Sequence, residues 1–390
     1  MSFVLQVDAE RWRSHLVATM GQVTWHPRTE LVPVVKGNGY GFGQAHAARA
    51  AEVLGVGVIA TGTVFELEEV LACTSTPVLV LERFDGRDRA AARAWEGTSR
   101  RWGVERIVRT VSTLAGLREL LAGPAGTQIV LEGRTSMHRF GFSPDELQWT
   151  IAQSDFREAV ASGQLVVHGL SLHLPMAQPA GPAGREQAKG TARAQEVLQW
   201  CGIWQAQELT GARESAAAIG GADAVWVSHL DDQELAQVRA GTPLPLRVRM
   251  GTRLWLGDRP ALRAHGSVLA VHPLTSGTRV GYRQRSGPRD GTLVVVSGGT
   301  AHGIGLRAPT PAASWRQRAV SAGTGSLDAV GRALSPFSWQ GKQRWFAEPP
   351  HQHHSMLWLP SGCVIPSIGD EMVADVRFTT SRFDAVLGLD

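Results

Sequence analysis

From about residue 30 to residue 250 the chain alternates short β-branched apolar runs with stretches rich in Ala, Leu, Glu and Arg. The runs 31–35, 56–61, 77–82, 103–110, 127–132, 165–172, 224–228 and 246–250 have the length and make-up of strands, and 45–53, 64–71, 113–121, 185–201 and 231–239 read as helices between them. This alternation predicts an α/β fold, a closed parallel (β/α)8 barrel of the TIM type over residues 1–258, with an open doubly wound sheet as the alternative. In such a barrel, functional residues sit just past the C-terminal ends of the strands. After residue 258 the pattern changes. "GSVLAVHPL", "GTLVVVSGG", "SMLWLP" and "EMVADVRF" are short strands set between Gly, Pro and Ser turns, so residues 259–390 read as a separate, mainly β domain. Within it, 306–345 mixes Pro, Gly, Ser, Trp and Arg and is expected to be a long loop or insertion, with "FSWQGKQRW" as interface or lid packing.

Composition narrows the class. At 390 residues the chain exceeds one ordinary domain, and 43% hydrophobic with 19% charged residues describes a folded rather than a disordered chain. A net charge of +4 carried by scattered basic residues does not indicate a nucleic-acid surface. The N-terminus "MSFVLQVDAERWRSH" lacks a basic-then-apolar signal pattern and no apolar run approaches a membrane span, so a cytoplasmic protein with no membrane partner is expected. Cys73, Cys201 and Cys363 lie far apart, which argues against a disulfide framework or a zinc knuckle and for buried thiols. The "HQHH" run at 351–354 lacks a further identifiable ligand, so no metal is expected.

Against that background "LVPVVKGNGYGFGQAH" (31–46) stands out, because lysine occurs only at 36, 189 and 342 and tyrosine only at 40 and 282. A phosphate-binding Walker loop has its lysine after the glycines, and Lys36 precedes them; the dinucleotide G-x-G-x-x-G spacing fails as well. A lysine at the end of a barrel strand, desolvated enough to lose its proton cheaply, forms an imine with an aldehyde cofactor. A lysine snorkelling to the surface is the other reading of the same position.

The motif "VVKGNGYGFG" resembles the pyridoxal-phosphate attachment motif of the alanine racemase family, and the resemblance continues in order through "GRTSMHRFGF" (133–142), "HGLSLHL" (168–174), "VRMGTRLW" (248–255), "RVGY" (279–282), "GGTAHG" (298–303) and "HSMLWLP" (354–360). It implies an amino-acid racemase that uses pyridoxal 5'-phosphate and acts as a homodimer with shared active sites. Lys36 then carries the cofactor and serves as one proton-transfer group, and Tyr40 binds its phosphate. Arg139 steers the cofactor's phenolic oxygen and the substrate carboxylate, a task suited to a planar, permanently charged fork. Glu132 stands where the family has a carbamylated lysine and supplies the matching anion directly. His173 supports the cofactor ring, and Arg249 faces the ring nitrogen, where an arginine opposes protonation and limits charge withdrawal into the ring. The backbone amides of Gly251 and Thr252 with the Ser228 hydroxyl complete the phosphate site, Ser215 being a rival for the last role. Tyr282 matches the second base, reaching a neighbouring subunit's barrel, and Met356 lines the substrate pocket from that same subunit. Two bases on opposite faces are what racemisation at Cα requires.

Three departures bear on substrate. Thr300 replaces the family's entrance tyrosine, Phe383 replaces a tyrosine that helps hold phosphate, and Leu357 replaces the aspartate after the methionine. The resemblance makes alanine or a related small amino acid the default substrate, and Thr300 and Leu357 keep an epimerase or racemase of a larger amino-acid derivative as the alternative. A basic amino-acid decarboxylase of the same architecture is disfavoured by Arg249, since that family has an acid at the ring nitrogen. A noncatalytic cofactor-binding protein is disfavoured by Tyr282.

Overall fold

The computed structural model describes residues 2–177, 191–207, 223–286, 289–306 and 333–389. The chain divides into two compact units, one made of residues 15–39 and 43–257, the other of residues 1–14, 40–42 and 258–390. The N-terminal strand β1 (Phe3–Val7), counted with the barrel from sequence, pairs antiparallel with residues 262–266 and so belongs to the second unit.

The first unit carries strands β2 (Thr29–Pro33), β3 (Ile59–Thr61), β4 (Val78–Arg83), β5 (Ile107–Val111), β6 (Thr127–Gly133), β7 (Leu165–Leu172), β8 (Val225–Ser228) and β9 (Leu246–Met250). They form one parallel sheet in the order β2-β9-β8-β7-β6-β5-β4-β3. Just past β2 a parallel bridge joins Val34 to Ala60, and the Val35 N–H donates to the Ala60 carbonyl at 2.7 Å, so the sheet closes at a narrow seam. Burial on both faces is why these strands read as unbroken apolar runs. Val32, Val34, Val58, Ala60, Leu79, Val108, Val130 and Trp226 form one buried cluster. Each fully buried Val contributes roughly 1.5–3 kcal/mol over leaving it exposed. Several polar side chains in this unit's interior pair with neighbours: the Trp226 indole N–H donates to the His168 carbonyl at 2.7 Å, and His168 and Gln128 bond at 2.5 Å. The helices between strands include Gln44–Val53, Leu67–Leu71, Arg89–Trp102, Leu114–Leu121, Pro144–Ala152, Ser154–Ala161, Ala192–Gln205 and Asp232–Gly241.

The second unit is built on β10 (Leu262–Leu274), a 13-residue strand bulged between Val268 and Ala270. The two-residue strands β11 (Arg279–Val280) and β12 (Arg285–Ser286) pair with each other. Then come β13 (Gly291–Ser297), β14 (Leu334–Trp339), β15 (Lys342–Phe346), β16 (His354–Pro360), β17 (Glu371–Ala374) and β18 (Ala385–Leu387). The main sheet runs β13-β16-β15-β14-β17-β10-β1-β18, and a further β13–β10 pairing closes its first six strands on themselves. The bulge lets one strand serve both closures: residues 265–267 pair with β17 and residues 268–274 with β13.

The expectation of a loop over 306–345 is corrected in its second half. Residues 334–339 and 342–346 are a β-hairpin turning at Gln340 and Gly341, both left-handed at φ 53° and 72°. Such a pair of positive φ angles matches the twist of a two-residue hairpin turn, and "FSWQGKQRW" is therefore a sheet element. The rest of that segment, 307–332, lies outside the described residues, as does Ser215.

Candidate active site

The barrel topology collects the predicted residues at the C-terminal ends of its strands. Lys36 follows the closing seam by one residue. Its ammonium is open to solvent at one side, yet its proton affinity is lowered, first by desolvation and then by the charges of Arg139 and Arg249, with Glu66 pulling the other way. Two guanidinium groups in the field of a lysine favour the neutral amine.

Glu66 was not singled out from sequence. Its carboxylate accepts from the Gly37 N–H at 3.0 Å, the Thr61 hydroxyl at 2.5 Å and the Gly62 N–H at 2.6 Å, binding the end of β3 to the residue after Lys36. The signal was readable: Thr63-Val-Phe-Glu66 is a capping box at a helix start.

Arg249, on β9, is buried and donates to the Ser171 hydroxyl at 2.9 Å and to the Leu172 carbonyl at 2.6 Å. Burial pushes its pKa down to about 10, against the opposing pull of Glu132. Among the described residues its Nε–H has no partner, and neither has Oε2 of Glu132. Glu132, on β6, is only 3% exposed, and burial raises its carboxyl although Arg249, Arg139 and Arg83 favour the ionised form.

His173 follows β7. Its Nδ1 lies 3.2 Å from the Ser228 hydroxyl, and its carbonyl accepts from the Thr135 hydroxyl at 2.5 Å. Burial, then the charges of Arg249, Arg139, His229 and Lys36, press its pKa down to about 2, so the ring is neutral. His229, also missed from sequence, packs edge-on against His173 at 5.1 Å and holds a left-handed backbone at φ 63°. Its place directly after the predicted strand 224–228 was the available signal. Gly251 and Thr252 begin the short helix Thr252–Leu256, which is tied to the barrel by the Trp255 indole donating to the Val34 carbonyl at 2.7 Å.

The "GRTSMHRFGF" stretch folds back on β6. Phe142 donates to the Glu132 carbonyl and Arg134 to the Phe142 carbonyl, both at 2.8 Å. Gly141 sits at φ 112°, where a Cβ would lie 2.5 Å from the backbone of Gly133 and Arg134, so this return admits no side chain. It exposes Arg139, whose guanidinium lies 5.2 Å over the Phe140 ring; Arg83 lies over the same ring at 5.2 Å. Among the described residues no ion pair joins Arg139 to Glu132, which acts on it through the field alone. Both arginines line a cavity of about 720 Å³ with Ser112, His138 and Trp149.

The remaining predicted residues belong to the second unit. Tyr40 is buried and left-handed at φ 59°. Tyr282 is 86% exposed and packs on His351, with ring centroids 4.5 Å apart. The Thr300 N–H donates to the His351 carbonyl at 2.8 Å. Met356 and Leu357 alternate on β16: Leu357 is fully buried opposite Val294, and Met356 is half-buried opposite Val295. An aspartate in place of Leu357 would be a charge in an apolar core. Phe383 stacks on Phe3 at 5.1 Å and packs against Phe378 at 5.9 Å.

Of the three free cysteines, Cys201 is buried and Cys73 and Cys363 are half-buried, a partial correction to the expectation of buried thiols. Among the described residues no group of three or more His, Cys, Asp or Glu could hold a metal, and no helix is long and apolar enough to cross a membrane.

Residues 7–244 match the model of a known family, "Alanine racemase, N-terminal domain". The chain is 27% identical over 275 residues to the alanine racemase of Nitratidesulfovibrio vulgaris (strain DSM 19637 / Miyazaki F), covering 69% of this chain and 68% of that protein. It is 29% identical over 289 residues to the alanine racemase of Mycobacterium avium (strain 104), covering 70% and 67%. Among solved structures, alanine racemase from E. faecalis superposes with a TM-score of 0.62 at 18% identity, over 95% of this chain and 88% of that one. Alanine racemase from Bartonella henselae with covalently bound pyridoxal phosphate superposes with a TM-score of 0.60 at 16% identity, over 96% and 91%. The solved structures speak to the fold and the family match covers more than half of the chain, which therefore belongs to the alanine racemase family as a divergent member.

Proposed function

We propose that the protein is a pyridoxal-phosphate-dependent amino-acid racemase, with alanine or a related small amino acid as substrate. It works as a cytoplasmic homodimer and moves the Cα proton between Lys36 and Tyr282 of the partner subunit. The observation that carries this reading is the state of Lys36: a lysine at a barrel strand end, depressed by desolvation and by two arginines. Such a group loses its proton at modest cost and takes one from carbon.

The donor set fits the cofactor. A buried arginine with one N–H in reserve, a carboxylate oxygen without a partner and a neutral imidazole bonded to a hydroxyl are polar groups left incomplete for a polar aromatic ligand. Bound pyridoxal phosphate supplies an aldehyde that captures the substrate amine and a ring that accepts charge as the Cα proton leaves. Arg249 serves the ring nitrogen as a hydrogen-bond donor and keeps it from gaining a proton, which favours simple proton return over side reactions. His173, held by Ser228, buttresses the ring. Ser228, the amides of Gly251 and Thr252, and Tyr40 hold the phosphate. Arg139 orients the substrate carboxylate, while Glu132 balances the charge of Arg249 and Arg139. Met356 of the partner subunit lines the pocket, and Thr300 supports the entrance.

The test is covalent and spectroscopic. Protein loaded with pyridoxal phosphate should be yellow, borohydride should fix a pyridoxyl group on Lys36 and leave Lys189 and Lys342 unlabelled, and a screen of L-amino acids in deuterated water should find Cα exchange. Labelling elsewhere, or a colourless protein, would overturn the assignment.

A further inference from the structure

Tyr282 is held in an unusual way for so exposed a residue. The turn that presents it is anchored from beneath by Glu348, whose side chain is only 2% exposed. The Glu348 carboxylate accepts from the Tyr282 N–H at 3.2 Å, the Arg283 N–H at 3.4 Å and the His351 Nε2–H at 2.5 Å. Burial pushes this carboxyl up, but the bonds from His351, Arg283 and Tyr282 prevail and hold it below the usual carboxylate range. Gly281 makes the arrangement possible: it sits at φ 71°, and a Cβ there would lie 2.0 Å from the Glu348 carboxyl carbon. The charge is thus pressed against the backbone of the turn.

His351 is fixed at both nitrogens. Nε2 faces Glu348, and Nδ1 lies 3.0 Å from Nε2 of His354. Burial, then the charges of His351 and His353, lowers the proton affinity of His354. A neutral His354 donating Nε2–H to Nδ1 of His351, which in turn donates Nε2–H to Glu348, satisfies both contacts of the His351 ring with one set of tautomers. The plane of the His351 ring is then determined, and the Tyr282 ring packs on it at an angle of 38°. The phenol has no other ring contact among the described residues.

We propose that Glu348 and His351 are positioning residues for Tyr282: the buried carboxylate fixes the turn, and the imidazole clamped to it fixes the plane of the phenol. This rests on the reading of Tyr282 as one of two proton-transfer groups. A reacting group displaced by about 1 Å costs on the order of 100-fold in rate, so a tyrosine on an exposed turn needs such a clamp more than a lysine at the end of a barrel strand does. The cluster that suggested a metal site in the sequence acts here as a hydrogen-bonded support.

The test uses the holoenzyme and separates positioning from general structural damage. Tyr282→Phe first identifies the enantiomer whose Cα exchange depends on Tyr282. His351→Ala should then lower exchange of that enantiomer by about tenfold or more and leave exchange of the other within about twofold. His351→Gln, whose amide still donates to Glu348, should recover part of the loss. Because the chain has two tyrosines, protein labelled with 13C at the tyrosine ring gives two resonances, and only that of Tyr282 should move in His351→Ala. Equal loss for both enantiomers, or an unmoved Tyr282 resonance, would overturn the positioning role while leaving the two-base reading intact. Normal exchange of both enantiomers in Tyr282→Phe would overturn both.

Discussion

Lys36 and Tyr282 are presented by opposite means. Around Lys36 the barrel does the positioning: β3, β6, β7, β8 and β9 each bring a polar group to their C-terminal ends or the residue beyond, and these groups interact through both hydrogen bonds and charge. Around Tyr282 a single carboxylate, one histidine and a glycine do it, on the turn of the short β11–β12 ladder, which is not part of the main sheet. A strand end is fixed by ladder bonds on both sides, so removing one side chain there changes the electrostatics and spares the geometry. A turn pinned by one buried charge changes its geometry when that charge goes.

The largest effect expected from this contrast is at Lys36. Lys36→Ala should abolish racemisation, a loss of about 10⁴-fold or more, and abolish borohydride labelling, with thermal stability unchanged or higher because a desolvated cation is removed. Next comes Tyr282→Phe, which should lose racemisation by roughly 10³-fold while keeping the visible cofactor band and Cα exchange from one enantiomer only. Single-enantiomer exchange by nuclear magnetic resonance in deuterated water checks it.

Arg249→Gln should lose about 10- to 100-fold and raise the proportion of transamination to racemisation, read as keto-acid formed per turnover. An unchanged product ratio would remove Arg249 from control of reaction type. Glu132→Gln should be mildest, about threefold in activity. Its sharper readout is stability. The folded-state pKa of Glu132 is raised, so the folded protein retains a proton that the unfolded chain has lost, and wild-type stability falls as pH rises from the ordinary carboxylate range toward the folded pKa. The thermal midpoint of Glu132→Gln relative to wild type should therefore increase as pH rises above the ordinary carboxylate range of about pH 4. A decrease would mean that attraction to Arg249 outweighs desolvation.

The barrel was legible because its strands are buried on both faces and carry unbroken β-branched runs; 165–172 and 246–250 match the observed strands end to end. The β unit was less so. In the 334–346 hairpin only the first strand alternates, Ser335, Phe337 and Trp339 being spaced by Pro336 and Ser338, while the second reads as a polar run ending in two aromatics, and β1 is separated from its β10 partner by more than 250 residues. At the site, residues within the resemblance could be named from sequence. Glu66 carried only the local signal of its capping box, and Glu348 carried none, since a carboxylate that organises distant backbone N–H groups is recognised by what it accepts, and that depends on the tertiary fold.

The central claim is that one site takes Lys36 from one subunit and Tyr282 from its partner. Mixing Lys36→Ala and Tyr282→Phe subunits tests it most directly, because each hybrid dimer regains one site with both groups and has one site with neither. The account predicts about half of wild-type activity per hybrid dimer, from two parents that are each inactive in racemisation. Hybrids that demonstrably form yet show no more activity than the parents would contradict it.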